Sequence, residues 1–225
     1  MNGLQGGGAA RRRWLRGAAA AAMAAAGMLQ LRAALAAGSL PPGVARIKGD
    51  VRINGKPAEP GQRVATGDLI VTGRGAELVF VVERDAFLLR ADSRLEFGSK
   101  AAGAAASALR ILTGALLSVF ESGKRRQIHT ATATIGIRGT GIYVETEARR
   151  TYACTCYGEA VLTPVDDPGA AETVRTKRHD QPRYIYGKGM PNMMEAAPVI
   201  NHTDVELQML ETLVGRKVPF QVGTY

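Results

Sequence analysis

Acidic residues near the N-terminus, long apolar runs and cysteines are what this 225-residue chain has least of. Residues 1–16 hold no Asp or Glu but carry Arg11, Arg12, Arg13 and Arg16. The uncharged run that follows, Gly17 to Leu31, is 15 residues of mostly alanine. A bilayer-spanning helix needs roughly twenty predominantly apolar residues, so this run is short for an anchor. Ala34-Leu35-Ala36 then supplies a small-x-small exit. A basic n-region, a short apolar h-region and such an exit are the three parts of a removable export signal. Residues 1–36 are therefore read as a signal peptide, which places the mature protein in the periplasm. A membrane-anchored regulator is the alternative if the segment is retained. The route is narrower still, because Arg11-Arg12-Arg13-Trp14-Leu15-Arg16 resembles the twin-arginine signal, a receptor-read address.

Catalytic constellations are also missing. No Ser-His-Asp set or paired carboxylates can be assembled, and Gly139-Thr140-Gly141 lies between strands, with no helix N-terminus to cradle a phosphate. The chain is therefore not expected to be an enzyme. Nucleic acid loses its case on charge. The signal holds five of the 29 basic residues and none of the 20 acids, so its removal takes the net charge from +9 to +4. Lys124-Arg125-Arg126 is short, has no aromatic interleaving, and reads as a solvated turn.

What is present after residue 36 is β-type sequence. Residues 37–43 are a linker by composition. From Val44 onward, short runs of Val, Ile, Leu, Thr and Phe alternate with turn residues, and Asn54-Gly55 is a tight-hairpin signal. Turns every eight to twelve residues, with no intervening helices, predict an all-β domain of many short strands, solenoid- or sandwich-like. Residues 98–107 read as a small-residue loop. Gln127 to Glu145 is the most β-prone stretch. Residues 164–225 form an extension with one strand near Tyr184 to Tyr186 and a helix near 203–214. Thr203-Asp204-Val205-Glu206 is a capping box, and Val205, Met209 and Leu213 mark an apolar face with Leu210 and Val214 beside it.

Several segments carry a resemblance. Val44 to Gly55, Gly61 to Val64, Thr66 to Gly73, Leu112 to Phe120 and Thr130 to Glu145 are similar, in order, to the FecR domain family, with Gly158-Glu159-Ala160-Val161 as the closing strand. The resemblance covers roughly 44–163. It implies an extracytoplasmic, mostly β module that binds or scaffolds a protein partner in the cell envelope, or senses a signal. In its best-known setting that module belongs to a regulator acting on a sigma factor. Only about sixteen residues precede the apolar run here, so direct sigma-factor control does not carry over. Arg138, within the Gly136-Ile-Arg-Gly-Thr-Gly141 run, reads as an exposed or structurally paired residue rather than a partner contact.

Cys154 and Cys156 stand two apart on a predicted strand, so their side chains share one face. In an extended strand their Cα atoms lie about 6.5–7 Å apart, at the upper edge for a disulfide. Three readings stay open: buried inert thiols, a strained disulfide, or a soft-metal or redox site. In the last, Cys154 and Cys156 bind with His179, or with His202, as a third ligand. His129 reads as a surface or turn residue.

Overall fold

The computed structural model describes residues 40–98 and 108–223. The expected signal peptide, residues 37–39 of the expected linker and nearly all of the expected 98–107 loop lie outside the described residues.

Fourteen strands run in chain order. They are β1 (Gly43–Lys48), β2 (Val51–Ile53), β3 (Lys56–Pro57), β4 (Asp68–Thr72), β5 (Glu77–Val82), β6 (Asp85–Leu89) and β7 (Arg94–Phe97). Then come β8 (Ala108–Val119), β9 (Arg125–His129), β10 (Ala133–Thr146), β11 (Arg150–Pro164), β12 (Glu172–Thr176), β13 (Arg183–Tyr186) and β14 (Met194–Ala196). One α-helix, α1 (Asp204–Leu213), follows them. Among the described residues, mostly β content with one C-terminal helix matches that part of the sequence reading.

The solenoid- or sandwich-like arrangement of many short strands does not. All fourteen strands hydrogen-bond into one mixed sheet, with the path β14-β13-β11-β10-β9-β8-β7-β4-β2-β3 and with β1, β5, β6 and β12 branching from it. The β8–β9 pair is parallel and the others are antiparallel. Three strands are long, at 12, 14 and 15 residues. The cause lies in the glycines, which read from sequence as bends between strands. The β10–β11 register shifts between Arg138 and Gly141, so the chain passes through a bulge and pairing resumes. Gly158 faces that bulge with φ +90°, a left-handed value suited to glycine. A Cβ on Gly141 would stand 2.3 Å from the Tyr157 ring.

Several strands are buried on both faces. In β5, Leu78 and Phe80 enter one apolar cluster and Val79 and Val81 the other. The larger cluster gathers Ile70, Phe87, Leu95, Ile111, Ile128 and Ile135 on the inner side of the curled sheet. The second lies under the helix, where Leu88, Leu117, Tyr143, Cys154 and Cys156 meet Leu207 and Leu210. Such strands need no polar alternation, which is why their sequences are continuous apolar runs.

At the turns, the sequence was explicit. Asn54 and Gly55 both have positive φ, 53° and 78°, and join β2 to β3. Thr203 caps α1 with both halves of the capping box formed. Of the apolar positions its periodicity suggested, Leu210 and Val214 are buried and Met209 and Leu213 pack against the same cluster, but the helix is rotated away from Val205. Val205 is 63% exposed, while Leu207 and Leu210 are fully buried. The first helical residue decides this: Asp204 points inward to Arg178 and His179, and that contact sets the rotation of the turns after it.

Candidate metal centre

Cys154 and Cys156 lie on β11 with their side chains on the helix-facing side of the sheet, as their spacing implied. Both are free thiols and fully buried. The chain leaves β12, turns, and places His179 over them. His179 has φ 50°, a left-handed conformation that costs a non-glycine residue about 1 kcal/mol or more. Its backbone N–H donates to the Cys156 carbonyl at 3.0 Å, which holds the turn against the strand. His202, two residues before α1, arrives from the other side. The histidines are 5% and 4% exposed.

The four ligand atoms, one from each side chain, all lie within 4.8 Å of one another. Cys154 Sγ is 3.4 Å from His179 Nδ1, and His179 Nδ1 is 3.0 Å from His202 Nε2. A tetrahedral ion with bonds of about 2.05 Å to nitrogen and about 2.3 Å to sulfur has ligand–ligand edges of about 3.3 to 3.8 Å. The Cys154–His179 pair, at 3.4 Å, falls within those edges, the His179–His202 pair, at 3.0 Å, is about 0.3 Å shorter than them, and no pair exceeds 4.8 Å. Sequence reasoning offered His179 or His202 as a third ligand; the fold brings both.

The outward ring nitrogens fix the tautomers. His179 Nε2 lies 3.0 Å from Asp204 Oδ1, a carboxylate that only accepts. His202 Nδ1 lies 2.6 Å from the Ile200 carbonyl, which also only accepts. Each of these nitrogens therefore carries a hydrogen. The inward nitrogens stand 3.0 Å apart beside the two sulfurs, close enough for one cation to be bound by all four.

Asp204 is 1% exposed, and a buried carboxylate needs several donors. Arg178 supplies two, at 2.8 and 3.1 Å, and the Gly223 backbone N–H a third at 2.9 Å. The His202 ring stacks on Tyr143, with centroids 4.7 Å apart and planes 16° from parallel. Phe220 covers His179 edge-on. Asp204, the Ile200 carbonyl and Tyr143 were not found from sequence. Asp204 left one trace there, a carboxylate at the first helical position two residues after a histidine.

The two thiols are set apart electrostatically. Cys156 donating to it, and then the two histidines, pull the Cys154 thiol down to about 4. Burial, and then the neighbouring Cys154 sulfur, push Cys156 well above the ordinary thiol range. One sulfur is thus a ready thiolate, the form in which sulfur binds metals.

The other singled-out residues lie elsewhere. His129 is half-buried on β9, with Nδ1 3.2 Å from Thr134 Oγ1, so it is neither a turn residue nor part of the cluster. Lys124 sits in a turn, but Arg125 and Arg126 begin β9, and Arg126 pairs with buried Asp85 at 2.7 Å. Arg138 is exposed on β10.

No family model matches this chain, so none supports the FecR-like resemblance. No curated protein is similar to it. Two solved structures from Parabacteroides distasonis ATCC 8503, both described as a candidate anti-sigma factor, are similar to it over part of its length. The 1.65 Å structure has a TM-score of 0.46 at 12% identity and covers 64% of this chain and 74% of that one. The 2.50 Å structure has a TM-score of 0.44 at 13% identity and covers 64% and 73%.

Proposed function

We propose that this chain is an exported, non-enzymatic β protein built around a structural Cys2His2 metal centre of the zinc class. The observation that carries the reading is the convergence of Cys154, Cys156, His179 and His202, all buried, with the outward nitrogen of each histidine held by an acceptor so that the other nitrogen faces the cluster. Structural zinc sites are closed, with four protein ligands, whereas catalytic ones keep a position for water. Four buried ligands favour the closed type.

Export gives the centre a chemical purpose. Thiols in an oxidising compartment are drawn toward disulfides, and Cys154 and Cys156 are poorly spaced for one. A bound ion holds both sulfurs as thiolates in use. The binding or signal-sensing role implied by the FecR-like segments belongs, in this reading, to the sheet surface that the centre keeps in shape.

Elemental analysis of the purified protein tests the proposal. One equivalent of zinc or a similar soft divalent ion per chain is expected, lost in the Cys154→Ser/Cys156→Ser variant. A chain that remains folded and carries no metal after incubation with zinc overturns it.

A further inference from the structure

Strands β9, β10, β11 and β12 turn one face to solvent beside the bulge. On that face Arg138 of β10 stands directly opposite Arg125 of β9. On its other side it faces Glu159 of β11. That carboxylate is already held by Arg175 of β12 at 2.7 Å. Arg126, the residue after Arg125, points to the other side of the strand and is taken up by Asp85. Among the described residues, neither Arg125 nor Arg138 makes an ion pair. Like charges directly opposite on neighbouring strands stand roughly 5 Å apart at Cβ and destabilise the pair.

Next to them the sheet is notched. Gly136 lies between Gln127 and Val161 in the register, and a Cβ there would meet only Val161, at 3.8 Å. The resulting cavity, about 270 Å3, has Arg125, Arg126, Gln127, Arg138, Glu159 and Val161 among its lining residues, Arg126 keeping its side chain on Asp85. The bulge fixes its rim. Thr140 Oγ1 donates to the Arg138 carbonyl at 2.8 Å, lies 2.9 Å from the Glu159 carbonyl and accepts from the Glu159 N–H at 3.1 Å.

We propose that this notch binds a phosphate-type oxyanion, bridged by the guanidinium forks of Arg125 and Arg138 with the Gln127 amide as a further donor. One fork satisfies a carboxylate. Two guanidinium forks lining one notch match a tetrahedral anion that carries close to two charges and three acceptor oxygens. Binding removes the cross-strand repulsion, so the anion gains from the strain that the empty face holds. Glu159 is the acid that lines the notch, and Arg175 already pairs with its carboxylate. The site is independent of the metal centre.

Calorimetric titration of the protein with sodium phosphate, against sodium chloride at the same ionic strength, tests the assignment. Saturable binding of phosphate and none of chloride is expected. Arg125→Gln and Arg138→Gln are each expected to weaken it about tenfold, the value of one lost charge-assisted hydrogen bond. Arg74→Gln, an exposed arginine in the turn before β5, is expected to leave it unchanged. Both rim variants should melt in chloride no lower than the parent, since each removes repulsion. Three results overturn the proposal: chloride reproducing the heat, binding that survives both rim substitutions, or binding to phosphatidylglycerol vesicles without binding to phosphate.

Discussion

Asp204 connects the centre to the rest of the chain more directly than any ligand does. Its Oδ1 orients His179, and its Oδ2 gathers Arg178 and the Gly223 backbone. Asp204→Asn keeps the shape but weakens the pull on the His179 hydrogen. Metal affinity is expected to fall about 10–100-fold, as when other carboxylate partners of ligand histidines are removed. Competition with a chromophoric chelator reads this directly. His129 gives a second residue-level test, away from the metal. Burial, and then the Arg110 charge, hold its imidazole below the usual 6.5. A histidine depressed in the folded state takes its proton more readily when unfolded, so stability present above the unfolded value is lost as pH falls below it. His129→Gln is expected to flatten the decline in melting temperature between about pH 7 and pH 5.

The helix is where sequence periodicity and structure part. Val205, Met209 and Leu213 satisfy helical spacing, and so do Leu207, Leu210 and Val214. Periodicity names both stripes without ranking them. The inward pull on Asp204 ranks them, and Val205 is left in solvent. Leu207→Ala is expected to cost about 2–5 kcal/mol, and Val205→Lys to stay within about 0.5 kcal/mol. Urea denaturation of the two variants separates the faces, and equal costs would reverse the assignment. The strands carry the same lesson. A glycine in a β-rich run reads as a stop, yet β8 runs through Gly114 and β10 through Gly136, Gly139 and Gly141. Whether glycine ends a strand or bulges it depends on the strand opposite, which local sequence does not contain.

At the scale of the molecule, the proposed metal centre would fasten the C-terminal segment to the sheet. Two ligands stand on β11, while the other two precede β13 and α1. The helix above covers Leu88 and Leu117 of the sheet. Removing the metal is therefore expected to loosen residues 177–223 before the rest. A strong chelator should lower the melting temperature, with a loss near 4 kcal/mol if the ion had stood at about 1,000 times its dissociation constant. Limited proteolysis should then cut first within that segment, and restored zinc should protect it. Other ties remain in place, among them Arg90 to Glu206 at 2.7 Å and the Tyr157 hydroxyl on Glu211, so the sheet itself should survive.

The sequence alone determined what depends on neighbours a few positions away. The Asn54-Gly55 turn follows from two residues that accept positive φ. The helix start follows from Thr203 and Glu206, and the shared face of Cys154 and Cys156 from the two-residue repeat of a strand. Tertiary structure decided what depends on distance along the chain. His179 lies 25 residues from Cys154 and 23 from His202, and only the return of the segment after β12 across β11 brings all three together. It decided equally that Arg125 and Arg138 oppose each other, because register between strands is set by the whole sheet. Side-chain chemistry is written residue by residue, but a site exists only where folding overcomes the separation between its parts.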